Sequence, residues 1–321
     1  MTSKEYIEQK LKNLKLTEKT VDNFTSDKDL ADFIFKSLMS KKFRKFSVTP
    51  EYIPHIHEAI ENSIKNNLPI KLLFPFGGYK LWRLEETPEA DWAELFTLMY
   101  YAKWLKPIAE IYKPGIQFDF SSDDIIVERM NNIPKTDTEK YAKSFRMIIN
   151  FLEKYLPENL KFTMTPVSSY YTPEEFDKDL KEKTLEMEKQ LGGLPILDDH
   201  HRRMVELNVR LKPDQDKDPL WREKTELMHQ SYYTVPKRRT YNRAKDKIIV
   251  FCINMDNCIP VGTTKTSIAK FWPGFGILKK TTEGFSEYVF SPSHTKDNFI
   301  KESISIKGLD SKNFKIIKIV V

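Results

Sequence analysis

The sequence of 321 residues contains little cysteine and no long apolar stretch. Cys252 and Cys258 are its only two cysteines, and so small a number predicts that the protein has no disulfide framework and works in a reducing compartment. No apolar run is long enough to form a membrane-spanning helix. The first residues are polar and lack the apolar core of a signal peptide. These absences predict a cytoplasmic protein that has no contact with a membrane.

The glycine patterns that bind nucleotides are missing as well. Neither the phosphate-loop pattern nor the dinucleotide-binding pattern occurs, and there is no internal repeat or low-complexity tract. The 52 basic and 46 acidic residues are spread along the chain and give a net charge of +6. Such a mild excess suits small anionic substrates and is weak evidence for nucleic acid. We therefore expect small-molecule ligands and no nucleic-acid partner, while the oligomeric state stays open.

The sequence does contain enough apolar material for a large core. Hydrophobic residues make up 40% of the chain and aromatic residues 12%, which can fill one large domain or two modest ones. Apolar residues at helical spacing predict helices near the N-terminus, one of them capped by Ser26. We predict an N-terminal helical segment over residues 1–66 and a Rossmann-like catalytic domain over residues 67–321.

The segment from residue 68 to residue 132 has the pattern strand, glycine turn, helix, strand. Ile70–Phe76 is a short apolar run, as expected of a buried strand. Thr87 and Pro88 predict a helix start, as N-cap and first helical residue. Ile116–Phe120 then predicts a second strand. Two strands joined by one helix are most simply parallel neighbours with a right-handed crossover.

Two further apolar runs extend this sheet. Leu160–Val167 and Lys247–Ile253 both have the composition of buried strands, and amphipathic helices lie between the strands. The alternation of strands and helices predicts an α/β fold, which is Rossmann-like and has a mostly parallel sheet flanked by helices.

Candidate functional residues follow the ends of the first two strands. Gly77, Gly78 and Lys80 follow the first strand, and Ser122 and Asp123 follow the second. Ligands bind beyond the carboxyl ends of parallel strands, so these two groups should line one cleft. A glycine pair lets backbone N–H groups approach an anion, and a lysine adds positive charge. The alternative is a tight turn followed by a surface lysine.

A further candidate group occupies residues 198–203. The paired aspartates suit the positive end of a helix. His200, Arg202 and Arg203 follow them as candidate contacts for a phosphate or a carboxylate. The alternative is a charged, solvent-exposed helix surface. Adjacent histidines point in different directions on a helix, so no metal site is expected here.

Several short motifs occur in a set order, mainly over residues 68–150. They are FPFGGYK with Lys80, DWAE with Asp91 and Glu94, IYKPG at residues 111–115, SSDD with Ser122 and Asp123, and a helix carrying Asp137 and Tyr141, with Arg202 and Arg203 farther on. In this order they resemble the isocyanide (isonitrile) synthase family, which includes the pyoverdine and dityrosine biosynthesis proteins. In that family the turn after the first strand usually contains Lys-Ser-Pro-Asn, where this chain has Gly-Gly-Tyr-Lys-Leu-Trp.

The resemblance implies a Rossmann-like enzyme that converts the amino group of an amino acid, of the tyrosine or tryptophan type, to an isocyanide. Ribulose 5-phosphate would supply the carbon, and no metal, nicotinamide or other cofactor is implied. Lys80 would contact the phosphate or act as general acid or base, and Asp123 would position or deprotonate the amine. Arg202 or Arg203 would hold a substrate anion. Asp91 and Glu94 would line the site or, equally well, complement the helix dipole.

Two other functions fit the same residues. One is a different Rossmann-like transferase that uses a nucleotide or S-adenosylmethionine. The other is a non-catalytic relative that binds a ligand or a partner in the same cleft. Selective thermal stabilisation by sugar phosphates and amino acids, or by nucleotides and S-adenosylmethionine, would distinguish the two enzyme hypotheses.

Overall fold

Helices dominate the chain up to residue 236. The computed structural model describes residues 1–15, 24–44, 46–76, 88–236, 247–252, 257–261, 274–290 and 299–320. The α-helices of these residues are α1 (Ser3–Lys15), α2 (Asp27–Leu38), α3 (Ile53–Lys65), α4 (Trp92–Ile111), α5 (Asp124–Met130), α6 (Lys135–Glu153), α7 (Pro173–Leu191), α8 (Asp199–Asn208) and α9 (Trp221–Tyr232). Several begin at capping side chains. Ser26 accepts a hydrogen bond from the Asp29 N–H, and Thr172 forms a reciprocal capping box with Glu175.

A five-stranded parallel sheet forms the centre of the fold. Its strands are β1 (Ile70–Phe76), β2 (Ile116–Ser122), β3 (Leu160–Pro166), β4 (Ile249–Cys252) and β5 (Ile259–Pro260). They lie in the order β3-β2-β1-β4-β5, and every neighbouring pair is parallel. The α/β prediction of a Rossmann-like, mostly parallel sheet flanked by helices is therefore confirmed, as is the parallel pairing of β1 with β2.

An aromatic core lies between this sheet and α4. Phe118 and Phe120 of β2 are fully buried, whereas the alternate residue Gln117 is exposed. The fully buried ring of Tyr101 on α4 lies 5.1 Å from that of Phe118 and 6.3 Å from that of Phe74. Burying one such side chain contributes about 1.5–3 kcal/mol, and each edge-to-face pair adds about 0.5–1.5 kcal/mol. This packing fixes α4 on the sheet.

A second, four-stranded sheet packs on the first turn of α4. Its strands are β6 (Phe275–Thr281), β7 (Gly284–Phe290), β8 (Ile300–Ser303) and β9 (Ile316–Val320), in the order β7-β6-β9-β8. The Trp92 indole N–H donates to the Ile316 carbonyl at 2.9 Å, and the ring of Trp92 lies 5.0 Å from that of Phe314. The apolar run from Phe314 to Val321 predicts a strand, and β9 covers Ile316–Val320 of it. The sequence does not predict the rest of this sheet.

Helix α4 begins at Trp92 and not at Pro88, so the predicted start is wrong. Asp91 is the N-cap: its side chain accepts the Ala93 N–H, and the Glu94 side chain accepts the Asp91 N–H. This reciprocal capping box fixes the first turn four residues later than the proline signal indicates. Thr87, the predicted N-cap, lies outside the described residues.

Cys252 and Cys258 form a disulfide, whereas the sequence predicts none. The bridge joins the end of β4 to the residue before β5, with Cα atoms 6.0 Å apart. Parallel pairing of β4 with β5 places Phe251 opposite Ile259 and brings the two cysteines within bridging distance. The count of two cysteines contains no information about this pairing. The cytoplasmic location stays a prediction.

The predicted N-terminal helical segment is present as α1, α2 and α3. Buried residues of these helices, such as Leu11, Ile34 and Ile60, belong to the same hydrophobic core as Phe118 of the sheet. The division between residues 66 and 67 stays a prediction. Among the described residues, no helix combines the length and the apolar composition needed to cross a bilayer.

Candidate functional site

The carboxyl ends of β1 and β2 lie side by side. Phe76, the last residue of β1, is in register with Ser122, the last residue of β2. Gly77, Gly78 and Lys80 follow β1 and lie outside the described residues, so their roles stay predictions. The chain nonetheless leaves β1 at the sheet edge where Ser122 ends β2, which is where a Rossmann-like sheet binds its ligands.

Ser122 and Asp123 form the junction between β2 and α5. Ser122 is buried, whereas Asp123, directly before α5, is half-buried. The neighbouring Asp124 carboxylate accepts the backbone N–H of Ser168 at 3.0 Å and also the Ser168 hydroxyl. These bonds tie the segment after β3 to the start of α5, so three strand ends meet near Asp123.

A polar group on the same sheet lies around Asp119, for which the sequence predicts no hydrogen-bond partners. The half-buried Asp119 carboxylate accepts the hydroxyls of Thr163 at 2.6 Å and Thr165 at 2.9 Å. Nearer the carboxyl edge, the hydroxyl oxygens of Ser121 and Tyr170 lie 3.5 Å apart. Thr163 and Thr165 are two residues apart on one strand, which places them on one face. Their register with Asp119 could not be known without the pairing of β2 with β3.

Asp91 and Glu94 lie at the start of α4, and both are buried. Glu94 is completely inaccessible, and its Oε1 accepts the Tyr141 hydroxyl at 3.1 Å. Tyr141 comes from α6, on which Asp137 pairs with Arg210 at 3.3 Å. The capping box agrees with a structural role of Asp91 and Glu94 at the start of the helix. Their contact with a substrate stays a prediction. The Glu94–Tyr141 bond joins two of the motifs on which the family resemblance rests.

Of the three predicted contact residues on α8, Arg202 is bound to other groups of the protein. Arg202 contacts the buried Glu223 carboxylate at 2.6 Å and donates through Nε to the Leu197 carbonyl at 3.4 Å. His200 and Arg203 are exposed. Arg202 therefore already has a carboxylate partner within the protein, and the predicted substrate contacts of His200, Arg202 and Arg203 stay predictions.

One further acid lies on α5, the helix that follows Asp123. Burial raises the pKa of the Glu128 carboxyl above its ordinary value, although a hydrogen bond from the Thr138 hydroxyl at 2.6 Å lowers it. A raised carboxyl pKa is typical of proton-transfer groups as well as of structural ones. Among the described residues, no three His, Cys, Asp or Glu side chains are grouped so as to hold a metal ion.

His229 gives this region a testable pH dependence. Burial lowers the pKa of its imidazole, whose Nε2 lies 3.3 Å from the Met130 carbonyl, while nearby Glu226 acts in the opposite direction. The unfolded chain therefore binds a proton at this histidine more readily than the folded chain does. As a result, the contribution of the neutral, buried His229 to the stability of the fold is present above a pH of about 6.5 and is lost as pH falls below it.

We expect His229→Gln to flatten the fall in melting temperature between pH 7.5 and 5.5 relative to the unaltered protein. Thermal unfolding followed by circular dichroism at several pH values would measure this difference. His200→Gln, at an exposed histidine, is the matched control for the loss of one imidazole. An unchanged slope in His229→Gln would show that this imidazole does not resist protonation.

Comparison with known proteins reveals similarity in fold. No family model and no curated protein sequence matches this chain. The crystal structure of the PvcA protein from Pseudomonas aeruginosa is similar with a TM-score of 0.59 and 15% identity, covering 91% of this chain and 100% of that chain. The tyrosyl-tRNA synthetase from Aeropyrum pernix gives a TM-score of 0.29 at 13% identity over 69% of this chain and 52% of that chain, too low to support an argument. The chain therefore shares the fold of PvcA.

Proposed function

We propose that this protein is an isocyanide synthase-like enzyme that acts on an amino acid of the tyrosine or tryptophan type, with ribulose 5-phosphate as carbon donor. The observation that carries the proposal is the hydrogen bond of 3.1 Å between Tyr141 and Glu94, residues 47 positions apart in the sequence. It joins the helix start and the tyrosine-bearing helix that occur as separate motifs in the family resemblance. The shared fold with PvcA over most of both chains is consistent with this relationship.

In this proposal the residues at the carboxyl edge of the sheet supply the chemistry that the reaction requires. Condensation of an amine with a ketose phosphate needs an anion site, a group that moves protons, and a group that orients the amine. In this proposal Lys80 contacts the phosphate or transfers protons, and Asp123 accepts a proton from the substrate ammonium. The position of Ser122 opposite the end of β1 supports a shared site for Asp123 and the residues that follow β1.

The direct test is to incubate the purified protein with tyrosine or tryptophan and ribulose 5-phosphate. We expect an isocyanide product, identified by its mass and its infrared stretch. Lys80→Ala and Asp123→Asn should each lower the rate by about 100-fold or more, the usual contribution of a general acid or base. Melting temperatures should hardly change if the two residues serve the substrate and not the fold.

Lys71→Ala is the matched control for Lys80→Ala. Lys71 is exposed near the amino end of β1, at the opposite end of this strand from the carboxyl edge. The loss of its side chain should not affect the rate. A folded protein without turnover, and without thermal stabilisation by any amino acid or sugar phosphate, would contradict the proposal. Stabilisation by S-adenosylmethionine or a nucleotide alone would favour a different transferase.

A further inference from the structure

An open groove between α7 and α9 lies apart from the carboxyl edge residues described above. Its volume is about 400 Å³, within the range of small-molecule sites. The residues around it come from α5, α7 and α9, and this "α7–α9 groove" is lined by Arg129, Asp177, Leu180, Lys181, Thr184, Leu185, Lys224 and Met228.

The interior of the groove is apolar and incompletely covered. Leu180 is 7% exposed and Met228 is partly buried against the same cluster, but Leu185 is 59% exposed. No residue of α7 from position 181 to its end is buried. An apolar ligand along α7 would remove Leu185 from water, which is favourable by about 25 cal/mol per Å² of apolar surface.

The rim of the groove contains one cation that is left for a ligand. The cations of the lining are Arg129, Lys181 and Lys224. Arg129 is bound to Asp177 at 2.8 Å and lies 3.5 Å from Glu128, and Lys224 is bound to Asp218 at 2.6 Å. Lys181 is exposed and forms no ion pair with any residue that the structure describes. A ligand with an anionic head beside Lys181 would therefore match the charge of this rim.

The size of the groove distinguishes a small ligand from a protein segment. Its lining on α7 extends from Asp177 to Leu185, about 12 Å at the rise of an α-helix. A docked helix of ordinary length, about 11–12 residues, would need a longer groove. We propose that the α7–α9 groove binds a medium-chain carboxylate, with its alkyl chain on Leu180, Leu185 and Met228 and its head beside Lys181. This site does not depend on the proposed isocyanide chemistry.

Calorimetric titration of the full-length protein with decanoate below its micellar concentration tests the proposal. We expect saturable binding with one equivalent, and about tenfold weaker binding of 1-decanol, which has the same chain without the charge. Lys181→Gln should weaken decanoate binding about threefold to tenfold, and Leu185→Glu at least about tenfold, because it adds a like charge and removes apolar contact.

Two variants on the same helix are matched controls. Lys178→Gln and Leu191→Glu alter an exposed lysine and an exposed leucine that do not line the groove, and both should bind decanoate within about twofold of the unaltered protein. Absence of saturable binding, or equal affinity for 1-decanol, would overturn the proposal. Equal weakening by Leu191→Glu and Leu185→Glu would place the ligand elsewhere and overturn it as well.

Discussion

Replacing Gly276 by alanine should destabilise the protein by about 3 kcal/mol or more, a large share of the 5–15 kcal/mol that holds an ordinary domain folded. Gly276 lies in β6, where the second sheet packs on the first turn of α4. A β-carbon at this position would lie 2.3 Å from the Ala93 nitrogen and 2.3 Å from the Trp92 carbonyl carbon. Both are backbone atoms at a helix start fixed by the Asp91 capping box, so neither can swing aside.

Equilibrium unfolding in urea measures this effect, and Gly276→Val should be worse than Gly276→Ala. Gly192→Ala is the control, because Gly192 has a φ of +71° but no atom within 4 Å of an added β-carbon. It should lose only the cost of a left-handed alanine, about 1–2 kcal/mol. If Gly276→Ala lost no more than this control, the second sheet would not pack on α4 as closely as described.

The Gly276 contact also belongs to the part of the fold that could not be predicted from the sequence. The strands of the parallel sheet could be predicted because Ile70–Phe76, Ile116–Phe120 and Leu160–Val167 are apolar runs separated by amphipathic helices. Alternate residues of each run are buried, so the apolar composition carries the signal. Apart from the apolar run at Phe314–Val321, the second sheet has no such signal: the pattern around Gly276 is short and partly exposed, and its position depends on contact with Trp92, 184 residues earlier.

The candidate site was predictable only to the level of strand ends. Ser122 could be placed beside the end of the first strand because neighbouring parallel strands end at the same edge, and its register with Phe76 agrees. Which side chains touch depends on register and rotamers, which the sequence does not specify. The Asp119–Thr163 hydrogen bond and the Arg202–Glu223 pair could not be derived for this reason.

Glu94 raises the question of whether a motif residue serves the site or the fold. Its side chain is completely inaccessible and, among the described residues, accepts hydrogen bonds from the Asp91 N–H at 2.8 Å and from the Tyr141 hydroxyl at 3.1 Å. Removing the carboxyl leaves both donors buried without this acceptor, and each such donor costs about 1–3 kcal/mol. These contacts favour a role for Glu94 in positioning α4 against α6. In this role Glu94 would hold the start of α4 beside the carboxyl edge of the sheet.

Glu94→Ala should therefore lower the free energy of unfolding by about 3 kcal/mol, and Tyr141→Phe by about 1–2 kcal/mol. The double variant should lose about 1 kcal/mol less than the sum of the two, because both single changes remove the same bond. Urea unfolding measures all three. Glu110→Ala is the control on the same helix: this carboxylate pairs with Lys106 at 3.5 Å near the surface and should cost about 0.5 kcal/mol or less. Strictly additive losses would show that Glu94 and Tyr141 do not support each other.

A Glu94→Gln variant with unaltered stability but at least about 100-fold slower isocyanide formation would instead make Glu94 a substrate-contacting residue. An amide keeps an acceptor for the Asp91 N–H, yet it cannot accept a substrate proton.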